Sequence, residues 1–194
     1  MTSGDSSKTL EDFSSIEVKI SPFLQQDNFS CVPCCIKMVI DYFASIHSNI
    51  VTYELQEIAN CIETTELGTC NNSNLDNINK LLEKSIPSLE FIRDNSYPSW
   101  DSIIDDLNNG KPVILWIECR DKANRYFGHS VVVTGYYNGN VIYIDPIFGE
   151  QKEHIGSFFQ KWESFDRFAI RVKIGERKVR RLTEFIENEG VIDE

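Results

Sequence analysis

The thiol of Cys31, the imidazole of His129, the carboxylate of Asp145 and a side-chain amide at Gln25 or Gln26 are groups that together can carry out acyl transfer. In that chemistry a cysteine thiolate is the nucleophile. A histidine takes its proton and returns it to the leaving group, and a carboxylate orients the ring. A side-chain amide near the nucleophile, together with a backbone N–H, can hold the oxyanion of the tetrahedral intermediate. These residue types must be brought together from positions more than a hundred residues apart, so the elements around them decide whether the set is plausible.

Cys31 opens a helical pattern. Apolar residues at 32, 35, 36, 39, 40, 43 and 46 predict a helix over 31–46 with one buried stripe. Ser30 is the expected N-cap. Pro33 falls in the first turn, where its missing N–H costs nothing. Cys31 is thereby placed at a helix N-terminus, the position that most favours a thiolate.

The chain has three histidines. His47 follows a helix some 16 residues long, so it stands roughly 24 Å from Cys31 and reads as a C-terminal helix cation. His154 lies in a polar stretch after Glu150–Glu153 and reads as surface. His129 starts an apolar run behind Gly128, at a strand end, where a scaffold can hold a reactive side chain. Asn138-Gly139 is a hairpin signal. It pairs the strand leaving His129 with the one ending at Asp145-Pro146. The two residues lie near the open end of that hairpin and can meet if a bulge or twist adjusts the register. Each has a plain structural alternative: His129 as a core histidine, Asp145 as a turn residue before proline. Spacing alone leaves Gln25 and Gln26 open.

Other elements follow from periodicity. Helices are expected at 52–62, 73–84, 100–108 and 157–162. The third of these is capped by Ser99 and stopped near Gly110. Strands are expected at 16–20, 112–119, 129–136, 141–144 and 168–174. The run Val113-Ile114-Leu115-Trp116-Ile117 reads as a central strand. Helices first and antiparallel strands later give an α+β fold. One domain over 16–175 is expected, with a flexible tail at 1–15 and a surface helix beginning at 176, its apolar residues Val179, Leu182 and Ile186 on one face.

The 194 residues are 41% apolar, enough for one core, and carry a net charge of -11. That charge disfavours nucleic acid and anionic membranes as partners. No apolar run is long enough for a membrane span, and the N-terminus lacks a secretory pattern, so a cytoplasmic location is expected. The six cysteines at 31, 34, 35, 61, 70 and 119 have neither the spacing of a zinc site nor a secretory context for disulfides. Mostly free thiols are expected, with no metal and no cofactor. Nothing in the sequence sets an oligomeric state.

Together these stretches resemble the papain-like cysteine peptidases that remove bacteriocin leaders at a double-glycine site, and their stand-alone relatives. The likeness rests on Gln25, five residues, then Cys31-Val32-Pro33-Cys34-Cys35-Ile36-Lys37-Met38. It continues through Leu67-Gly68-Thr69, Trp100–Leu107, Gly110-Lys111-Pro112-Val113-Ile114, Gly128-His129-Ser130-Val131-Val132-Val133-Thr134-Gly135 and Val141-Ile142-Tyr143-Ile144-Asp145-Pro146, and takes in Phe158, Phe159 and Trp162. It covers about residues 16–174.

The resemblance implies Cys31 as nucleophile, His129 as base, Asp145 as orienter and Gln25, rather than Gln26, as oxyanion donor. It implies a peptide or protein substrate cut at a peptide or isopeptide bond through a thioester. A deamidase, an acyltransferase or a peptide-binding module of the same fold are the alternatives. Val32 stands where the family usually has glycine, and its β-branched side chain is expected to crowd the cleft or to limit backbone approach. Cys34 and Lys37 stand where it usually has small residues.

Overall fold

The computed structural model describes residues 15–46, 52–70, 75–83, 85–86, 88–120 and 123–175. In chain order these form β1 (Ile16–Glu17), α1 (Cys31–Ile46), α2 (Leu55–Cys61), α3 (Asp76–Leu82), β2 (Leu89–Asp94), α4 (Trp100–Asn108), β3 (Val113–Arg120), β4 (Tyr126–Tyr137), β5 (Asn140–Asp145), β6 (Gly149–His154), α5 (Ile155–Glu163) and β7 (Ala169–Ile174). His47, residues 1–14 of the expected tail and the expected helix from 176 lie outside the described residues. No helix among the described residues is long and apolar enough to cross a membrane.

The strands form one sheet in the order β2-β7-β3-β4-β5-β6, with β1 added on β4. The pairings are antiparallel. Its two faces are both covered. Ile114, Trp116, Val132 and Ile144 face a core completed by α1, α2 and α3. Leu115, Ile117, Val131 and Val133 face a second core completed by α4 and α5. Covering both faces explains why β3 reads as an unbroken apolar run rather than an alternating one. The α+β, papain-like arrangement expected from the sequence is the one observed.

Several elements differ from expectation. β1 is only two residues long. Leu89–Asp94 and Gly149–His154 are strands that the sequence pattern did not signal. α1 buries more than one stripe: Cys34, Met38 and Ala44 are also inside, while Ile46 is 54% exposed. It is a central helix, wrapped by the sheet on one side and by α2 and α3 on the other. Close approach of β1 requires glycine at 135, because a Cβ there would collide with the Ile16 carbonyl oxygen.

Candidate active site

α1 starts where Asp27 stops the preceding loop. Asp27 Oδ1 accepts the N–H groups of Phe29 and Ser30, at 2.8 and 2.7 Å. Burial raises the Asp27 pKa, but the bonds from the Phe29 N–H and from the Ser30 hydroxyl and N–H outweigh it and hold the carboxyl below its ordinary value. Ser30 does precede the helix, as expected. Its hydroxyl, however, accepts the Cys34 thiol rather than a backbone N–H, and its carbonyl takes the first helical bond from Cys34 N at 3.0 Å. The N–H groups of Cys31 and Val32, which precede that first bond, are left at the open helix end, and Cys31 is half-buried there.

His129 and Asp145 owe their meeting to a bulge. Asn138 and Gly139 both have positive φ, 48° and 76°, as the tight hairpin turn requires. From that turn the ladder runs Tyr137↔Asn140 to Gly135↔Ile142, then shifts to Val133↔Tyr143 and Val132↔Ile144. The residue absorbed is Thr134. Continuing the shifted register sets Asp145 across from Val131, on the sheet face that His129 shares. Without the shift Asp145 would sit across from Val132 and point the other way. His129 Nε2 and Asp145 Oδ1 are 2.9 Å apart, and both residues are buried. Asp145 Oδ1 also accepts the N–H of Ile147 at 2.7 Å and of Phe148 at 3.3 Å. These bonds fix the orientation of the carboxylate.

With Nε2 turned to Asp145, the other ring nitrogen of His129 is left for the Cys31 thiol, with which the ring interacts directly. Burial alone would raise the Cys31 pKa. The His129 hydrogen bond and charge, with help from Ser130, reverse this and lower it. Burial alone would lower the His129 pKa. The bonds to Asp145 and Cys31, and their charges, instead push it up to about 9. Asp145 is held low despite burial, by His129 and its two backbone donors. Together these directions favour a thiolate–imidazolium pair. The thiols of Cys34 and Cys119 go the other way, to about 11, because burial is not offset.

Gln25 reaches the same place. Its backbone N–H donates to Pro146 O at 2.8 Å, which ties its loop to the residue after Asp145. Its Nε2 donates to Asp27 O at 2.6 Å. A cavity of about 640 Å³ is lined by Gln25, Asn28, Cys31, His129 and the segment 125–128. Gln26 is exposed and lies outside that lining. A second cavity, about 910 Å³, shares Asn28, Phe127, His129 and Ile147 and extends past Asp145 to α5. Tyr126, Phe127, Ile147 and Phe148 form an exposed apolar rim along both.

Val32 does not crowd this cleft. It is 2% exposed and packs in the core beside Ile62, Leu75 and Trp116. The expectation fails because a residue one step along a helix projects about 100° away from its neighbour. His154 is exposed, as expected, and its Nδ1 caps α5 by accepting Gly156 N at 3.1 Å.

Two contributors had no sequence signal as site residues. Ser130 lies on the α1 side of β4, where its carbonyl accepts the Cys35 thiol at 3.3 Å and pins the helix to the strand. Its buried hydroxyl makes no hydrogen bond of ordinary geometry, yet lies near enough to Cys31 to favour the thiolate. Gly128 admits the Phe165 ring, whose Cε1 would stand 2.8 Å from a Cβ there.

The model of the Peptidase_C39 like family matches residues 17–170. No protein of curated function matches the chain in sequence. Among solved structures, a protein from Bacillus anthracis described as a C39-like peptidase is similar at a TM-score of 0.60 and 16% identity, covering 85% of this chain and 100% of that one. The peptidase domain of Streptococcus ComA, a bifunctional ABC transporter involved in a quorum-sensing pathway, is similar at a TM-score of 0.55 and 20% identity, covering 81% and 99%.

Proposed function

The chain belongs to the Peptidase_C39 like family of cysteine peptidases, and we propose that it cuts a peptide or isopeptide bond through Cys31, His129 and Asp145 by way of a thioester. The observation that carries this reading is the His129–Asp145 pair standing beside the Cys31 thiol at the wall of an open cavity.

In this mechanism the Cys31 thiolate attacks the substrate carbonyl carbon. The oxyanion forms against the Cys31 backbone N–H at the start of α1 and the remaining N–H of the Gln25 amide. The Asp27 carbonyl holds that amide in place. His129, protonated at the nitrogen facing Cys31, gives its proton to the leaving amine. The same nitrogen then removes a proton from water, which attacks the thioester and frees Cys31. Asp145 keeps Nε2 occupied, so the ring presents one nitrogen to the chemistry throughout. The apolar rim of Tyr126, Phe127, Ile147 and Phe148 offers surface for apolar side chains of a peptide or protein substrate. Residues 16–175 are the proposed catalytic unit, acting in the cytoplasm with its thiols reduced.

The test is incubation of the purified chain and of Cys31→Ala with a complex peptide mixture, reading new chain ends by mass spectrometry. Ends that appear with the wild type and not with Cys31→Ala support the reading. Ends that persist in Cys31→Ala contradict it, and retention of peptides without any cleavage points instead to a binding module of this fold.

A further inference from the structure

Cys31 and Cys34 form a C-x-x-C pair on the first turn of α1, with Pro33 between them. The proposed peptidase step uses only Cys31. Cys34 is wholly buried, and its thiol is directed back along the helix to Ser30 Oγ, 3.8 Å away, beside the level of Cys31. Helical side chains lean in this direction, so residues three apart face each other. Cys35 is one position further on, and its thiol is committed to the Ser130 carbonyl on β4. Cys31 lines the open cavity, where a small oxidant can reach it.

We infer that Cys34 is a resolving thiol for Cys31, and that oxidation by a peroxide closes a reversible Cys31–Cys34 disulfide at the mouth of α1. This rests on the reactive Cys31 of the peptidase reading and extends it to regulation of the same site. In the first step the Cys31 thiolate attacks the O–O bond of the peroxide. A sulfenic acid forms, and the departing hydroxide leaves as water after taking a proton. In the second, Cys34 sulfur attacks Cys31 sulfur, the S–O bond breaks, and the Cys34 proton leaves with the hydroxide as water. Two thiols are oxidised and one peroxide is reduced to two waters.

Geometry allows the closure. Residues three apart on a helix have Cβ atoms about 5–6 Å apart, against about 3.5–4.5 Å in a disulfide, so the turn must tighten slightly. The first backbone bond of the helix, Cys34 N to Ser30 O, closes the turn that carries both cysteines. The thiols also divide the roles: Cys31 is held toward the attacking thiolate, while burial keeps Cys34 protonated until a sulfenic acid appears beside it. The bond would switch the nucleophile off and shield it from irreversible oxidation, and a dithiol would restore it.

The test is peptide mapping of the full chain after hydrogen peroxide treatment near neutral pH. Cys31, Cys34 and Cys35 fall in one tryptic peptide, residues 20–37, so the product is read from one mass. The expected product has lost two hydrogens, keeps Cys35 open to alkylation after unfolding, and is fully reversed by dithiothreitol. Cys35→Ala should give the same loss. Cys34→Ala should instead carry a sulfinic or sulfonic acid at Cys31 that dithiothreitol does not reverse. A wild-type Cys31 that goes to sulfinic acid with Cys34 still free overturns the inference, as does pairing with Cys35 or Cys119, or no reaction at Cys31. The wild-type map stands even if Cys34→Ala fails to fold. No step of it reads peptide cleavage, so a chain that cuts peptides without forming this bond refutes the inference alone.

Discussion

Replacing Asp145 with asparagine isolates the charge that holds His129 protonated. The amide oxygen can still accept from Nε2, so the ring keeps its orientation while losing its anionic partner. In the native protein His129 is raised from 6.5 to about 9 against the pull of burial, with the Asp145 hydrogen bond and charge among the causes. A pKa raised in this way means that the ring stays protonated as pH rises, until about 9. A lowered Cys31 pKa means that the thiolate survives as pH falls below the ordinary thiol range. Loss of an opposite charge at hydrogen-bond distance moves a pKa by roughly 1 to 3 units, or about 1 to 4 kcal/mol. The thiolate–imidazolium pair should weaken by that amount, since the ring that stabilises the thiolate is then less basic. The assay is the pH dependence of iodoacetamide alkylation at Cys31, with the His129 ring followed by NMR. At pH 6 Asp145→Asn should alkylate about 10 to 1000 times more slowly, with the ring titrating at least about one unit lower. An unmoved profile in a folded variant would refute the assignment of Asp145.

Three further outcomes follow from the same contacts. His129→Ala should slow Cys31 alkylation at pH 6 by about tenfold or more without unfolding the chain, as read by mass spectrometry and circular dichroism; loss of the fold would make His129 structural instead. Gln25→Ala should lower turnover of a cleaved peptide about 10²–10³-fold, the usual cost of one oxyanion donor, while Gln26→Ala leaves it unchanged. Val32→Gly should cost about 2 to 4 kcal/mol in chemical unfolding, through lost burial and helix propensity, and leave the cleft's substrate choice as it was.

The parts of the site legible in the sequence are those written as local pattern. Cys31 at the start of α1 follows from apolar periodicity and Pro33. The His129–Asp145 hairpin follows from Asn138-Gly139, and Ser99 before α4 from a simple cap, observed as the bond from Ser102 N to Ser99 Oγ. What was not legible depends on partners distant in sequence or on one residue of register. The bulge at Thr134 decides which face Asp145 takes, yet threonine is an ordinary strand residue. β6 is Gly-Glu-Gln-Lys-Glu-His, a charged edge strand with no apolar period to read. β2 has only Leu89 and Phe91 buried, too few to stand out from a loop. Val32 is adjacent to Cys31 in sequence but not in space, because the helix turns it into the core.

The central claim is that Cys31 is activated by its neighbours. It is tested most directly by a simultaneous alkylation race among all six cysteines at pH 6, resolved by peptide mapping. Cys31 should react about tenfold or more ahead of Cys61 and the exposed Cys70, with Cys34, Cys35 and Cys119 slower still. Six cysteines reacting at one slow rate, or Cys70 ahead of Cys31, would contradict it.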